Sequence, residues 1–349
     1  MLPYIVFILP LLPLSAVAHS PTCSAGPISS QLQQPICQGP PDVYVVETSQ
    51  GKGLGVFATH DMEIGDIVMR EAPILKIQFP PVAKGGAYPT EVVSRLVHDE
   101  FEALSPAEKD EVLSLTYYTK AGNTTEVDKV ATIFRTNAYN TGDKVGLFPK
   151  IARINHSCRP NTGYSWSERL NKRVVFATRK IKAGEEFFVS YISLTMTQED
   201  RQKHLDKYGF KCQCDACAQE HAARAASDKR RTTINNAFVK FEHRLIITPP
   251  ESKAGKREAL VNAQVSIQLA QLVQEEGLAD YYAKTYRIVA ITHGRTEDWQ
   301  NAAIWANKAY EIRFMEDPDS SLTTEMEQLT SLYIANWENQ LRNAAGASA

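Results

Sequence analysis

The sequence predicts a mixed β plus α protein, and three observations carry that prediction. Short runs of strand formers broken by glycines fill residues 44–77 and return over 161–192. Between them, residues 88–133 change to a helical period. After Cys217 the composition stays helical. Of the 349 residues, 43% are hydrophobic and 22% charged, values that exclude disorder over most of the chain. Lys plus Arg is 38 against 40 Asp plus Glu, a net charge of −2. That balance excludes the dense cationic face of a sequence-independent nucleic-acid binder.

Residues 1–18 are apolar except for Tyr4 and Ser15 and end in Ala16-Val17-Ala18, a signal-peptidase pattern. Pro3, Pro10 and Pro13 disfavour a membrane helix. No Lys or Arg precedes the apolar run, so an uncleaved anchor and a gene-model artefact stay open beside the signal peptide. Residues 19–42 read as an irregular leader rich in Ser, Pro, Gln and Gly. No later stretch reaches the roughly 18 apolar residues of a span, so none is expected in the mature chain.

Val45, Val46, Val56, Phe57, Ile67 and Val68 form the first strands, punctuated by Gly51, Gly53, Gly55 and Gly65. Val92, Val93, Leu96, Val97, Phe101 and Leu104 recur at helical spacing, and Ser105-Pro106-Ala107-Glu108 reads as an N-cap with proline at the first helical position. Strands return at Val174–Ala177 and at Glu186–Tyr191. Leu260, Val261, Val265, Leu269, Leu272 and Val273 fit one helix face. Further helices near 278–291, 297–314 and 322–342 suggest stacked antiparallel hairpins, with Ala302, Ala303, Ala306 and Ala309 allowing close packing.

Four segments carry the chemistry. Gly51-Lys52-Gly53-Leu54-Gly55 lets a ligand approach the backbone, or is simply a tight turn. No helix follows it, so it is not a dinucleotide fingerprint. Arg153-Ile154-Asn155-His156-Ser157-Cys158-Arg159-Pro160-Asn161 groups polar side chains between strand-like blocks, or is a hydrogen-bonded turn with a satisfied histidine. Tyr191 ends Gly184-Glu185-Glu186-Phe187-Phe188-Val189-Ser190 either as a core residue or as a phenol over a reacting centre. Cys212, Cys214 and Cys217 cannot easily pair with one another. They can converge on tetrahedral zinc with Cys158 as fourth ligand, and a disulfide cluster is the competing reading.

In this order the four segments resemble a SET domain, the fold of protein-lysine methyltransferases. The glycine turn is similar to the first SET motif, and Asn155 to Cys158 to the family's Asn-His-x-Cys motif. Gly184 to Tyr191 and the post-SET cysteines complete the pattern, over about residues 43–220. The helical insert and the C-terminal helices resemble the SET-and-MYND branch, but residues 79–151 contain no cysteine and hence no MYND finger. The resemblance implies a SET domain over 43–192 of short strands with a knot-like core and a helical insert at about 80–133. A post-SET zinc segment at 193–220 and a helical region at 221–349 follow.

The implied reaction is methyl transfer from S-adenosylmethionine to a lysine of a protein substrate. By resemblance, Lys52, Gly53 and Leu54 lie at the cofactor turn, and Asn137, Asn155 and His156 bind the cofactor. Phe210 stacks on the adenine. Tyr139 and Tyr208 line the lysine channel. Tyr191 touches both cofactor and amine as the catalytic residue. Zn2+ on Cys158, Cys212, Cys214 and Cys217 is structural. The competing readings are a non-catalytic SET and helical interaction module, and a methyltransferase for a small amine or peptide. A monomer is expected. The leader points to the secretory pathway or secretion, with a Cys23–Cys37 disulfide and a glycan at Asn123. Zinc thiolates and S-adenosylmethionine point instead to cytoplasm or nucleus, and a glycan on Asn155, also in an acceptor pattern, would destroy the cofactor site.

Overall fold

The computed structural model describes residues 43–81, 89–119, 128–242 and 245–346. The leader, Cys23, Cys37 and Asn123 lie outside the described residues.

Strands β1 (Tyr44–Ser49) and β2 (Gly53–Ala58) pair antiparallel from Tyr44↔Ala58 to Ser49↔Gly53. The turn between them holds Gly51 at φ +72°, a conformation that disfavours a side chain. β3 (Ile67–Glu71) lies against β9 (Lys172–Ala177), which also pairs with β8 (Thr162–Ser167). Val56, Val68, Ile154, Val175, Phe187 and Val189 fill the core below them.

A second three-stranded sheet carries the insert. β4 (Leu75–Gln78) and β5 (Ala138–Thr141) flank β6 (Lys144–Leu147). Helices α1 (Thr90–Glu102), α2 (Pro106–Leu113) and α3 (Lys129–Asn137) close over it through Val97, Phe101, Val112, Ile133 and Phe134. The start of α2 is the expected one: Ser105 accepts from Glu108 N–H and the Glu108 carboxylate accepts from Ser105 N–H.

The Glu186–Tyr191 segment departs from the expected strand. Only β10 (Phe188–Val189) joins a ladder, parallel to β7 (Asn155–His156). The cause is Asn161, whose Oδ1 accepts from Phe188 N–H at 2.7 Å while its Nδ2 donates to Glu186 O at 2.8 Å. A buried side chain therefore takes the place of a strand partner.

α4 (Gln198–Leu205) leads into the cysteine loop. Then come α5 (His221–Glu242), α6 (Lys253–Glu275), α7 (Tyr282–Gly294), α8 (Trp299–Glu316) and α9 (Ser321–Gly346), and from α5 on each packs on the next. Ala302, Ala303, Ala306 and Ala309 are buried on α8, as their size suggested. The expected face of α6 holds at Leu269 and Val273, which are buried, and is corrected at Leu260 and Val261. Ala259, Ala263, Ser266, Ala270 and Val273 turn inward, whereas Leu260 and Val261 are 58% and 53% exposed. The small residues let α6 approach its neighbours, and their spacing of three and four rotates Leu260 and Val261 outward. No helix of the described residues is long and apolar enough to cross a membrane.

Candidate active site

Glu186 joins the glycine turn to β7. Its Oε2 accepts from Ser49 Oγ at 2.9 Å and from Lys52 Nζ at 2.8 Å, and its Oε1 accepts from Asn155 Nδ2 at 2.7 Å. Phe187 N–H donates to Val56 O, so the backbone is pinned as well. Gly55 is small for this reason: a Cβ there would lie 2.5 Å from Glu186 Oε1. The Lys52 ammonium also sits 4.4 Å from the centre of the Phe188 ring.

The turn forms one rim of a cavity of about 520 Å3, within the size range of small-molecule sites. Lys52, Leu54, Asn155, His156, Asn137 and Phe210 line one part. Asn155 Nδ2 also donates to Leu54 O at 2.9 Å, and Asn137 Nδ2 donates to Thr116 O and Ile133 O, each at 2.9 Å. Among the described residues neither carboxamide oxygen has a protein donor, so the cavity holds two acceptors.

Tyr139, Tyr164, Tyr191 and Tyr208 line the other part. The Tyr191 and Tyr208 rings lie 5.1 Å apart, as do Tyr139 and Tyr164 at 5.4 Å. Burial raises the pKa of all four, so they are neutral phenols and not bases. Tyr191 hydroxyl donates to Ile154 O at 2.7 Å, which spends its proton and turns its lone pairs outward. Tyr191 N–H donates to His156 Nδ1 at 3.1 Å. His156 is therefore protonated on Nε2, which faces Cys158 Sγ at 3.4 Å. Burial lowers its pKa to about 4, so the ring is neutral.

The four cysteine sulfurs of Cys158, Cys212, Cys214 and Cys217 all lie within 4.8 Å of one another. Sulfurs around tetrahedral zinc sit about 3.8 Å apart, and Cys217 and Cys158 are separated by 3.6 Å. No disulfide joins them. Four converging cysteine sulfurs are the donor set of a structural zinc site. Two buried arginines flank the cluster. Arg201 Nη2 lies 3.9 Å from Cys217 Sγ, and Arg231 donates to Cys158 O at 3.0 Å and Leu194 O at 2.6 Å. Gln202 ties the loop to α4 by donating to Phe210 O and accepting from Cys212 N–H.

The SET-domain family model matches residues 53–192. Histone-lysine N-methyltransferase set5 of Schizosaccharomyces pombe is 30% identical over 285 residues, covering 80% of this chain and 81% of that protein. The chain belongs to the SET-domain methyltransferase family. It is also 37% identical over 109 residues to N-lysine methyltransferase SMYD2 of Homo sapiens, covering 31% of this chain and 22% of that protein. Histone-lysine N-methyltransferase SMYD3 of Homo sapiens is 40% identical over 74 residues, covering 21% of this chain and 17% of that protein.

Of the residues assigned to the cofactor, the lysine channel or zinc, all reach this cavity or the cysteine cluster except Gly53, which sits beside the turn in β2. Lys52 lines the rim with its charge already paired to Glu186. Tyr164, Arg201, Gln202 and Arg231 stand in no motif and reveal themselves only through contacts made across the fold. Asn161 and Glu186 lie inside motif segments, but what they hold is seen only in the fold.

The sulfur geometry predicts that natively purified protein carries one zinc per chain. Cys212→Ser should lose that metal and loosen the post-SET loop that carries Phe210. Elemental analysis without zinc, together with these cysteines recovered as disulfides, would contradict this.

Proposed function

We infer that the protein is an S-adenosylmethionine-dependent protein-lysine N-methyltransferase. One observation carries the reading beyond family membership: a single cavity is lined both by the carboxamides of Asn137 and Asn155 and by four neutral tyrosines.

The residues present fit the cofactor. The free oxygens of Asn137 and Asn155 suit an ammonium, Lys52 and Lys211 at the rim suit a carboxylate, and the Phe210 ring suits an adenine. When bound, S-adenosylmethionine supplies an electrophilic methyl group. The four cysteines suit a zinc ion that fixes the Phe210 loop.

The chain's own groups position the amine. A lysine must lose its proton to attack, and its ordinary pKa is about 10.4. The tyrosine channel excludes water and disfavours the ammonium. Tyr191, having given its own proton to Ile154 O, can only accept from the amine. An amine N–H held on Tyr191 leaves the nitrogen lone pair free to be aimed. The protein substrate is part of this reading, and the names of the relatives make core histones the first acceptor to try.

Calorimetry with S-adenosylmethionine tests the site. Wild type should bind, and Asn155→Ala should weaken binding by roughly 1–3 kcal/mol, because it removes an acceptor and leaves Leu54 O and Glu186 short of a donor. Equal affinity in the two proteins would reject this placement.

A further inference from the structure

Arg173 is 4% exposed, and no ion pair among the described residues neutralises it. Glu71, its register partner on β3, instead accepts from Lys150 N–H and Ile151 N–H at 2.9 and 2.8 Å. The guanidinium donates to Asn140 O, while its Nε has no partner. What surrounds it is aromatic: the ring centres of Tyr139, Tyr164 and Phe148 lie 4.7, 4.8 and 5.3 Å from its central carbon. An arginine does not escape burial by losing its proton, so a full positive charge stands there. An unpaired buried charge is costly, and ring quadrupoles return only part of that cost. A leucine or methionine would fill the same space without it.

Tyr139 and Tyr164 also line the cavity that Tyr191 and Tyr208 share. We propose that the guanidinium of Arg173, held behind Tyr139 and Tyr164, keeps the entering lysine in its neutral, reactive form. This rests on the lysine methyltransferase reading. A fixed positive charge one ring away, across a poorly solvated wall, opposes an ammonium in the channel and leaves a neutral amine untouched. The groups that face the channel are the phenols of Tyr139, Tyr164, Tyr191 and Tyr208, all neutral. Asp280 beyond Tyr164 and Glu186 beyond Tyr191 act in the opposite sense, as Glu71 does beside Arg173 itself. Lys52, Arg153 and Lys211 line the same cavity, Lys52 paired with Glu186 and Arg153 donating to Ser114. Arg173 differs from them in being buried against the rings of Tyr139 and Tyr164 themselves.

The test is the pH dependence of kcat with saturating core histones and S-adenosylmethionine, since kcat reports the ionisation of the bound complex. The wild-type rate should rise through a limb well below the pKa of free lysine. In Arg173→Met that limb should move up by about one pH unit. Activity would then fall about tenfold below the limb and recover above it. Arg173→Lys keeps the charge and should keep the wild-type limb, and it decides the matter should the methionine variant not fold. A loss in Arg173→Met that is the same at every pH overturns the proposal and makes Arg173 a packing residue. So does a shifted limb in Arg173→Lys, or a wild-type limb at the free-lysine value. Wild-type protein that transfers no methyl group to core histones overturns the underlying reading instead.

Discussion

Tyr191→Phe should lower turnover roughly 30- to 1,000-fold, the equivalent of about 2–4 kcal/mol from one lost transition-state hydrogen bond in a dry site. The rest of the side chain stays, so the aromatic contacts with His156, Tyr208 and Phe210 persist. Cofactor affinity should change little, because the backbone N–H of Tyr191, not its hydroxyl, is what fixes His156. Folding should lose about 1 kcal/mol, since Ile154 O gives up its donor. A tyrosine that only fills the core predicts another pattern, a loss of stability with unchanged activity per folded molecule. Melting temperature, S-adenosylmethionine affinity and methyl transfer measured on one preparation separate the two.

Glu276→Gln should destabilise the fold by about 3–5 kcal/mol, because it strands buried arginines. The Glu276 carboxylate is wholly buried and accepts from Ser227 at 2.7 Å, Arg230 at 2.6 Å and Arg231 at 2.9 Å. Arg231 in turn grips Cys158 O and Leu194 O, so the network joins α5 and the start of the loop after α6 to the cysteine cluster. Burial alone would raise the Glu276 pKa, but the Ser227 hydrogen bond and the two guanidinium groups outweigh it and hold the carboxyl below 4.5. A carboxyl with a depressed folded pKa contributes fully above its unfolded value and loses that contribution as pH falls through the folded one. Wild-type stability should therefore drop below about pH 4.5. The gap between wild type and Glu276→Gln should narrow over the same range. Denaturant titrations of both proteins from neutral to acidic pH measure this, and a gap that does not depend on pH would count against it.

The parts of this fold that could be read from the sequence are those set by near neighbours. The Ser105–Glu108 cap, the alanine face of α8 and the close-spaced Cys212, Cys214 and Cys217 depend on residues a few positions apart. The misread parts depend on distant partners. Asn161 cannot be seen to replace a strand neighbour of Phe188 until the chain is folded. Leu260 and Val261 look like core residues, and only the close approach of neighbouring helices explains why small Ala259 and Ala263 take the inside. β5 and β6 follow directly on α3 with few strand formers, and β6 completes its sheet on β4, more than sixty residues earlier in the chain.

The candidate site divides the same way. Its motif residues were recognisable by type and order, because methyl transfer asks for particular groups at the cofactor and at the amine. The residues that set its electrostatics were not. Arg173 reads as an ordinary strand residue, and its meaning lies in three rings brought from β5, β8 and the segment after β6. Lys52 stands in a motif as a cofactor contact, while its first partner is Glu186, 134 residues further along the chain.

The most direct measurement is transfer of a labelled methyl group from S-adenosylmethionine to core histones by the purified chain, followed by amino-acid analysis of the product. The account predicts label in methyllysine, abolished or strongly reduced in Tyr191→Phe. Label absent from lysine, or equal incorporation by Tyr191→Phe and wild type, would contradict it.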